Sequence, residues 1–240
     1  MSLLREPAET PATAAPHPLD LPAWASLTGP HRRFALVHGA AARYRPDVSP
    51  FGVLAPDPDA QAWADLATLI GPDTVLPLAA MEATPPPGFV TEMSLPGVQM
   101  IDATLDAAPG PEAIRLTAAD VPEMLELVAR TKPGPFEQRT IELGTYLGIR
   151  RGGALVAMAG ERMHPPGYTE ISAVCTDPAY RGQGLAARLV RAVAAGIKAR
   201  GEVPFLHAAA TNTGAIALYE KLGFVIRKQT TFSAVRTPPA

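Results

Sequence analysis

The stretch Asp177-Pro178-Ala179-Tyr180-Arg181-Gly182-Gln183-Gly184-Leu185-Ala186 carries the clearest chemical signal in the sequence. It joins a strand-like run ending at Thr176 to a run in which Leu185, Leu189, Val193 and Ile197 recur every four residues, the spacing of one helix face. Two glycines let the backbone turn tightly, and the first turn of the following helix presents N–H groups with no partner inside the helix. Such a turn holds a phosphate or pyrophosphate, and Arg181 adds a charge that does not titrate away. It is not a P-loop, because no Gly-Lys-Ser/Thr follows, and the glycine spacing differs from the dinucleotide fingerprint. An isolated Arg-Gly-x-Gly also reads as an ordinary strand-to-helix turn with glycine for steric reasons. The turn therefore needs corroboration elsewhere in the chain.

The elements that must position this turn are legible around it. Residues 113–116 read as a strand, and Thr117 caps a helix carrying Val121, Met124, Leu125 and Val128. A short helix covers 137–143, and 146–150 and 155–162 form two antiparallel strands about Gly152-Gly153. Strand 168–176 leads into the turn, Gly201 ends the helix after it, and strand 204–208, helix 215–222 and strand 224–235 follow. This order predicts an α/β plan with a mixed sheet. Before it, 34–38 and 41–45 suggest a hairpin about Gly39, 60–70 a helix stopped by Gly71-Pro72, and 75–78 a strand interrupted by Pro77. The reading is a mobile leader over 1–19, an N-terminal α/β domain over 20–110, a connection near 106–111, and a second domain over 111–240.

Composition bounds the function. The 240 residues are 47% hydrophobic and 18% charged, which excludes a disordered chain. No apolar run approaches the roughly 18 residues of a spanning helix, and charges at Arg5 and Glu6 with four prolines in the first eighteen residues leave no secretory core. A cytoplasmic address without membrane contact is expected. Cys175 is the single cysteine, so neither a disulfide framework nor a cysteine-rich zinc site is available. The net charge of -2 hides an asymmetry. Residues 1–110 hold 5 Arg and no Lys against 12 acids, giving -7, and residues 111–240 hold 16 bases against 11 acids, giving +5. A basic second part suits a small polyanion. No Lys/Arg-rich cluster interleaved with aromatics points to nucleic acid.

With these residues in view, the second part resembles the GNAT superfamily of acyl-CoA-dependent N-acyltransferases over about residues 112–236. Arg181 through Ala186 matches the family's Arg/Gln-x-x-Gly-x-Gly/Ala signature. Val174-Cys175-Thr176-Asp177-Pro178 matches the strand leading into it, and Asn212, Tyr219 and Leu222-Gly223-Phe224 match the downstream pattern. Within the superfamily it looks most similar to the glycine N-acyltransferase-like group. The resemblance implies the GNAT fold, a mixed and mostly antiparallel sheet flanked by helices, and acetyl-CoA or another short acyl-CoA as cofactor. It also implies transfer to a primary amine of a small molecule or peptide by direct attack in a ternary complex. Backbone groups of Val174 and Thr176 would pair with the pantetheine arm, where their strand diverges from the one containing Leu206. Backbone N–H groups of Gly182, Gln183, Gly184, Leu185 and Ala186 would receive the pyrophosphate with Arg181 near the phosphates, and Asn212 would bond the pantetheine region. Tyr219 would protonate the departing thiolate; its other reading is an aromatic packed on the apolar side of a helix.

An ammonium has no lone pair, so a base is also sought. Glu170 stands four residues before Val174, and strand alternation puts the two on one face with Ser172, and Cys175 on the other. The resemblance places a general base or its relay water on this part of the strand, with Glu161 and His207 as rivals for Glu170. Each also reads as a structural group: a solvated strand carboxylate or a strand histidine. Cys175 reads as a small core residue. Residues 60–78 echo 185–208 in order and length, so the first part reads as a degenerate copy of the same half-fold. A rival function remains, a non-catalytic acyl-CoA-binding sensor or interaction module.

Overall fold

A computed structural model describes residues 17–79, 81 and 84–240. Among the described residues eleven strands form one continuous sheet. The chain contributes α1 (Pro22–Leu27), β1 (Ala35–His38), β2 (Ala41–Tyr44), β3 (Gly52–Leu54), α2 (Ala60–Ile70), β4 (Val75–Leu78) and β5 (Val90–Asp102). It continues with β6 (Ile114–Arg115), α3 (Val121–Thr131), β7 (Tyr146–Arg151), β8 (Ala154–Glu161), β9 (Tyr168–Thr176), α4 (Leu185–Ala199), β10 (Val203–Ala209), α5 (Thr213–Leu222) and β11 (Phe224–Arg236). Residues 137–143, expected as a short helix, form only a 3-10 turn over Thr140–Leu143.

The sheet order is β1-β2-β3-β4-β11-β5-β10-β9-β8-β7-β6. All pairings are antiparallel except β3 with β4 and β9 with β10. Each parallel pair is joined by a helix, α2 in the first part and α4 in the second, so the strand-helix-strand unit expected in residues 21–110 is present. The two parts interlock. β5 precedes the connection at 106–111 yet lies between β10 and β11, and β11 pairs with β4 of the first part. The boundary at residue 110 therefore does not separate two sheets. Residues 17–19, assigned to the leader, are anchored: Leu19 is fully buried, and its carbonyl accepts from Gln99 Nε2 at 2.8 Å. Residues 1–16 of that expected leader lie outside the described residues.

The packing of α4 follows its sequence. Leu185, Leu189, Val193 and Ile197, with Val190 and Ala194, are buried against Ile149, Ile171 and Leu206 of the sheet. Burial of such side chains stabilises by about 1.5–3 kcal/mol each. This packing fixes the start of α4 beside the end of β9, as the turn requires. On the other face α3 packs Met124 and Leu127 against Tyr146, Met158 and Cys175.

Candidate active site

The parallel pair β9–β10 is incomplete. Tyr168, Thr169 and Glu170 pair with Val203, Pro204 and Phe205, and beyond them no register partners join the two strands. Each stays paired on its far side, β9 to β8 as far as Thr176 and β10 to β5 as far as Ala209. Backbone groups of residues 171–176 and 206–209 therefore face each other across a gap. An unpaired buried backbone polar group is costly, so these groups suit an extended amide-bearing ligand. Val174 and Thr176 both stand on this edge, and the Thr176 hydroxyl is buried without a partner.

The gap leads to the turn. Gly182 and Gly184 adopt φ +79° and +70°, a region that disfavours side chains, and Gly184 caps α4. The first backbone bond of the helix runs from Arg188 N to Gly184 O, leaving the amides before it free. A Cβ on Gly182 would meet no atom within 4 Å, so the space beside this glycine is open. Arg181 is exposed, with Nε at 3.4 Å from the Thr176 carbonyl, and Gln183 gives its carbonyl to Arg188 Nη1. Leu185 is buried, with its backbone in the first turn beside Ala186. Asn212 caps α5: its Oδ1 accepts from Ala215 N at 3.2 Å, and its amide N–H groups remain available.

Tyr219 lies on the buried side of α5 with its ring 6.1 Å from that of Phe224. Burial pushes its phenol up to about 12, with Cys175 adding to the rise. The Tyr219 hydroxyl is not among the sealed, unpaired buried groups, unlike that of Tyr146. A phenol that stays protonated at neutral pH is a hydrogen-bond donor held ready. Burial also raises the Cys175 thiol to about 11, so it is no thiolate nucleophile.

The candidate bases sit differently from the sequence expectation. Ala173 has φ +52° and the β8–β9 register slips there, with Ser172 opposite Gly160 and Cys175 opposite Met158. This bulge breaks the alternation. Val174 packs with Ile171 on the α4 side, whereas Ala173 and Cys175 pack on the α3 side, so Glu170 shares its face with Cys175 and not with Val174. Glu170 is fully buried and receives Arg162 Nη2 at 2.7 Å and Nε at 2.8 Å, and His207 Nδ1 at 2.8 Å. Burial alone would raise its carboxyl, but the Arg162 charge and the hydrogen bonds from Arg162 and His207 outweigh it and hold it near 2. Gln99 Nε2 lies 3.1 Å from His207 Nε2 while Gln99 Oε1 accepts from Arg227 at 3.0 Å. That pattern assigns the His207 proton to Nδ1. Glu161 belongs to a separate buried group, bonded to Arg200 at 3.0 Å and to Thr145 N at 3.1 Å. The structure thus joins Glu170 with His207 and leaves Glu161 apart. Sequence reasoning missed Arg162 and Gln99, whose roles depend on contacts across strands.

A family model described as FR47-like protein matches residues 146–233. N-alpha-acetyltransferase RimI of Mycobacterium tuberculosis (strain ATCC 25618 / H37Rv) is 38% identical over 120 residues, covering 45% of this chain and 75% of the relative. A crystal structure of a GNAT-family protein of Novosphingobium aromaticivorans DSM 12444 is 43% identical, with TM-score 0.85 over 94% of this chain and 100% of that one. A GCN5-related N-acetyltransferase from Kribbella flavida shares the fold at 21% identity and TM-score 0.60, over 92% of this chain and 96% of that one. A forked parallel pair opening onto a glycine turn, in a chain alike to such relatives in sequence and fold, has one reading: the chain belongs to the GNAT family of acetyltransferases, which move an acyl group from acyl-CoA to an amine.

Proposed function

We propose that this chain transfers an acetyl or other short acyl group from acyl-CoA to a primary amine of a small molecule or peptide, by direct attack in a ternary complex. The observation that carries the reading is the gap between β9 and β10, which opens both to the free amides of the α4 start and to the Tyr219 side of α5. In this reading Val174 and Thr176 pair through their backbones with the pantetheine arm, and Asn212 bonds it from the β10 side. Gly182, Gln183, Gly184, Leu185 and Ala186 receive the pyrophosphate through N–H groups, with Arg181 as the flanking charge. The acceptor nitrogen attacks the thioester carbon, the carbon–sulfur bond breaks, and the departing sulfur takes its proton from Tyr219, which is reprotonated from solvent.

Glu170 acts as a positioning group rather than as the base: its carboxylate is committed to Arg162 and His207 with no exposed surface. The amine's proton goes to water in the gap. The sensor alternative is disfavoured by the buried phenol of Tyr219 beside the gap, for which a sensor has no use. The glycine N-acyltransferase-like motif pattern and a cytoplasmic address are the finer parts of the same proposal. Among the described residues no helix is long and apolar enough to cross a membrane. Incubation with acetyl-CoA and a panel of primary amines, followed by mass spectrometry, tests the reading: an acetylated amine is expected, and unchanged amines across the panel with cofactor bound would favour the sensor.

A further inference from the structure

We infer that the acceptor carries an apolar body beside its amine and that the Phe232 ring holds this body, with Gly97 left bare so that the ring can lie at the gap. This rests on the acyl-transfer reading above and concerns which amines that site takes. Val98 and Met100 of β5, and Leu206 and Ala208 of β10, pack with the α4 and α5 side chains, so helices occupy that face of the two strands. Strand alternation turns Gly97, Gln99, His207 and Ala209 to the other face. A thioester whose carbonyl pairs along a strand edge lies in the plane of the sheet, and a nucleophile reaches its carbon from above or below that plane. With the helices and the glycine turn on one side, the amine comes from the other.

On that side Phe232 reaches from β11 to the gap. A Cβ on Gly97 would come within 2.4 Å of Phe232 Cε2, so the ring lies over the Gly97 backbone. It also meets the His207 ring edge-on, with the centroids 6.1 Å apart. His207 stands on the strand that lines the gap, and its bond to Glu170 lies at the joined end of the fork. Gly97 and its opposite residue Ala209 lie further toward the mouth. The ring therefore sits beside the part of the gap that stays open.

The side chains around it are uncharged. Thr230 stands opposite Gly97 and Leu95 opposite Phe232, and Met93 follows Leu95 on the same face of β5. Phe232 and Leu95 keep part of their surface exposed and Met93 is 43% exposed, whereas Thr230 is buried. The run thus presents an aromatic ring and two aliphatic side chains that lead away from the gap. An apolar body gains by covering them, and a polar one loses water there without a hydrogen bond in return.

The test compares hexylamine with ethylamine, whose amines are equally basic and which differ in alkyl length alone. In the full-length wild-type protein with saturating acetyl-CoA, kcat/KM for thiol release is expected to favour hexylamine by about 10-fold, the effect of covering the longer chain on one side. The advantage should lie in KM rather than kcat. Phe232→Ala should bring the two amines close to parity. Gly97→Ala, which drives a methyl group into the ring, should do the same, and the double variant should add little to either change. Acetyl-CoA affinity by calorimetry should hold in all three; where Phe232→Ala loses it, Gly97→Ala decides in its place. Equal use of the two amines by wild type would overturn the inference, as would a preference that survives Phe232→Ala or an advantage carried by kcat. If neither amine is acetylated, calorimetry of hexylamine with the protein saturated in coenzyme A decides: binding lost in Phe232→Ala supports the contact, and absent or unaltered binding overturns it. Failure of acetyl-CoA itself to bind wild type would instead strike the acyl-transfer reading.

Discussion

Replacing Glu170 with Gln should cost stability and leave the shape of the pH–rate profile unchanged. The carboxylate is fully buried and its carboxyl lies near 2 against an ordinary 4.5. At about 1.4 kcal/mol per pKa unit, that difference stabilises the native state at neutral pH by about 3 kcal/mol. A carboxyl lowered by folding stabilises above its unfolded value, and the contribution is lost as pH falls from about 4.5 toward 2. Glu170→Gln also strands Arg162, whose side chain is 12% exposed, and breaking a buried pair costs about 3–5 kcal/mol. Urea unfolding at neutral pH should therefore show a loss of about 3–5 kcal/mol, shrinking as both proteins are acidified toward pH 3. A loss below about 1 kcal/mol at neutral pH, as for an exposed pair, would show that the buried Glu170–Arg162 pair does not stabilise the fold in this way. In steady-state rates, the ratio of wild type to Glu170→Gln should stay flat with pH; recovery of the variant at high pH would show that Glu170 takes the amine's proton itself.

Tyr219→Phe keeps the ring beside Phe224 and removes the O–H, so turnover should fall by about 10²-fold while acetyl-CoA affinity, by calorimetry, holds. Gly184→Val forces a branched side chain onto φ +70° at the head of α4, and should abolish the rise in melting temperature that acetyl-CoA gives wild type. Gln99→Leu removes the bonds that Gln99 makes to the Leu19 carbonyl, Arg227 Nη1 and His207 Nε2. It should cost about 1–3 kcal/mol and raise amide hydrogen exchange around residues 19–21.

Where the sequence spoke through periodicity or glycine, the structure followed it. α4 shows in its four-residue repeat, α2 in Trp63 and Leu66 before Gly71, and the phosphate turn in glycines that adopt positive φ. The orientation of Glu170 was not legible, because the residue that breaks the alternation is an alanine, whose type announces no bulge. β5 was missed because Pro96 and Gly97 interrupt its apolar pattern; the Phe232 ring fills the space a Gly97 side chain would need. Its insertion between β10 and β11 is a long-range pairing that no local window reports. Leu19, a lone apolar residue between Pro18 and Asp20, has no periodic partner to reveal its burial.

In the proposed reaction the gap and its glycine turn present an acyl-CoA to an amine for direct transfer. Initial rates of thiol release, with acetyl-CoA and an accepted amine varied together, test it most directly. Release that requires amine, saturates in both substrates and gives intersecting reciprocal plots is expected, as a ternary complex demands. Amine-independent release, or parallel plots reporting a covalent acyl-enzyme, would contradict it.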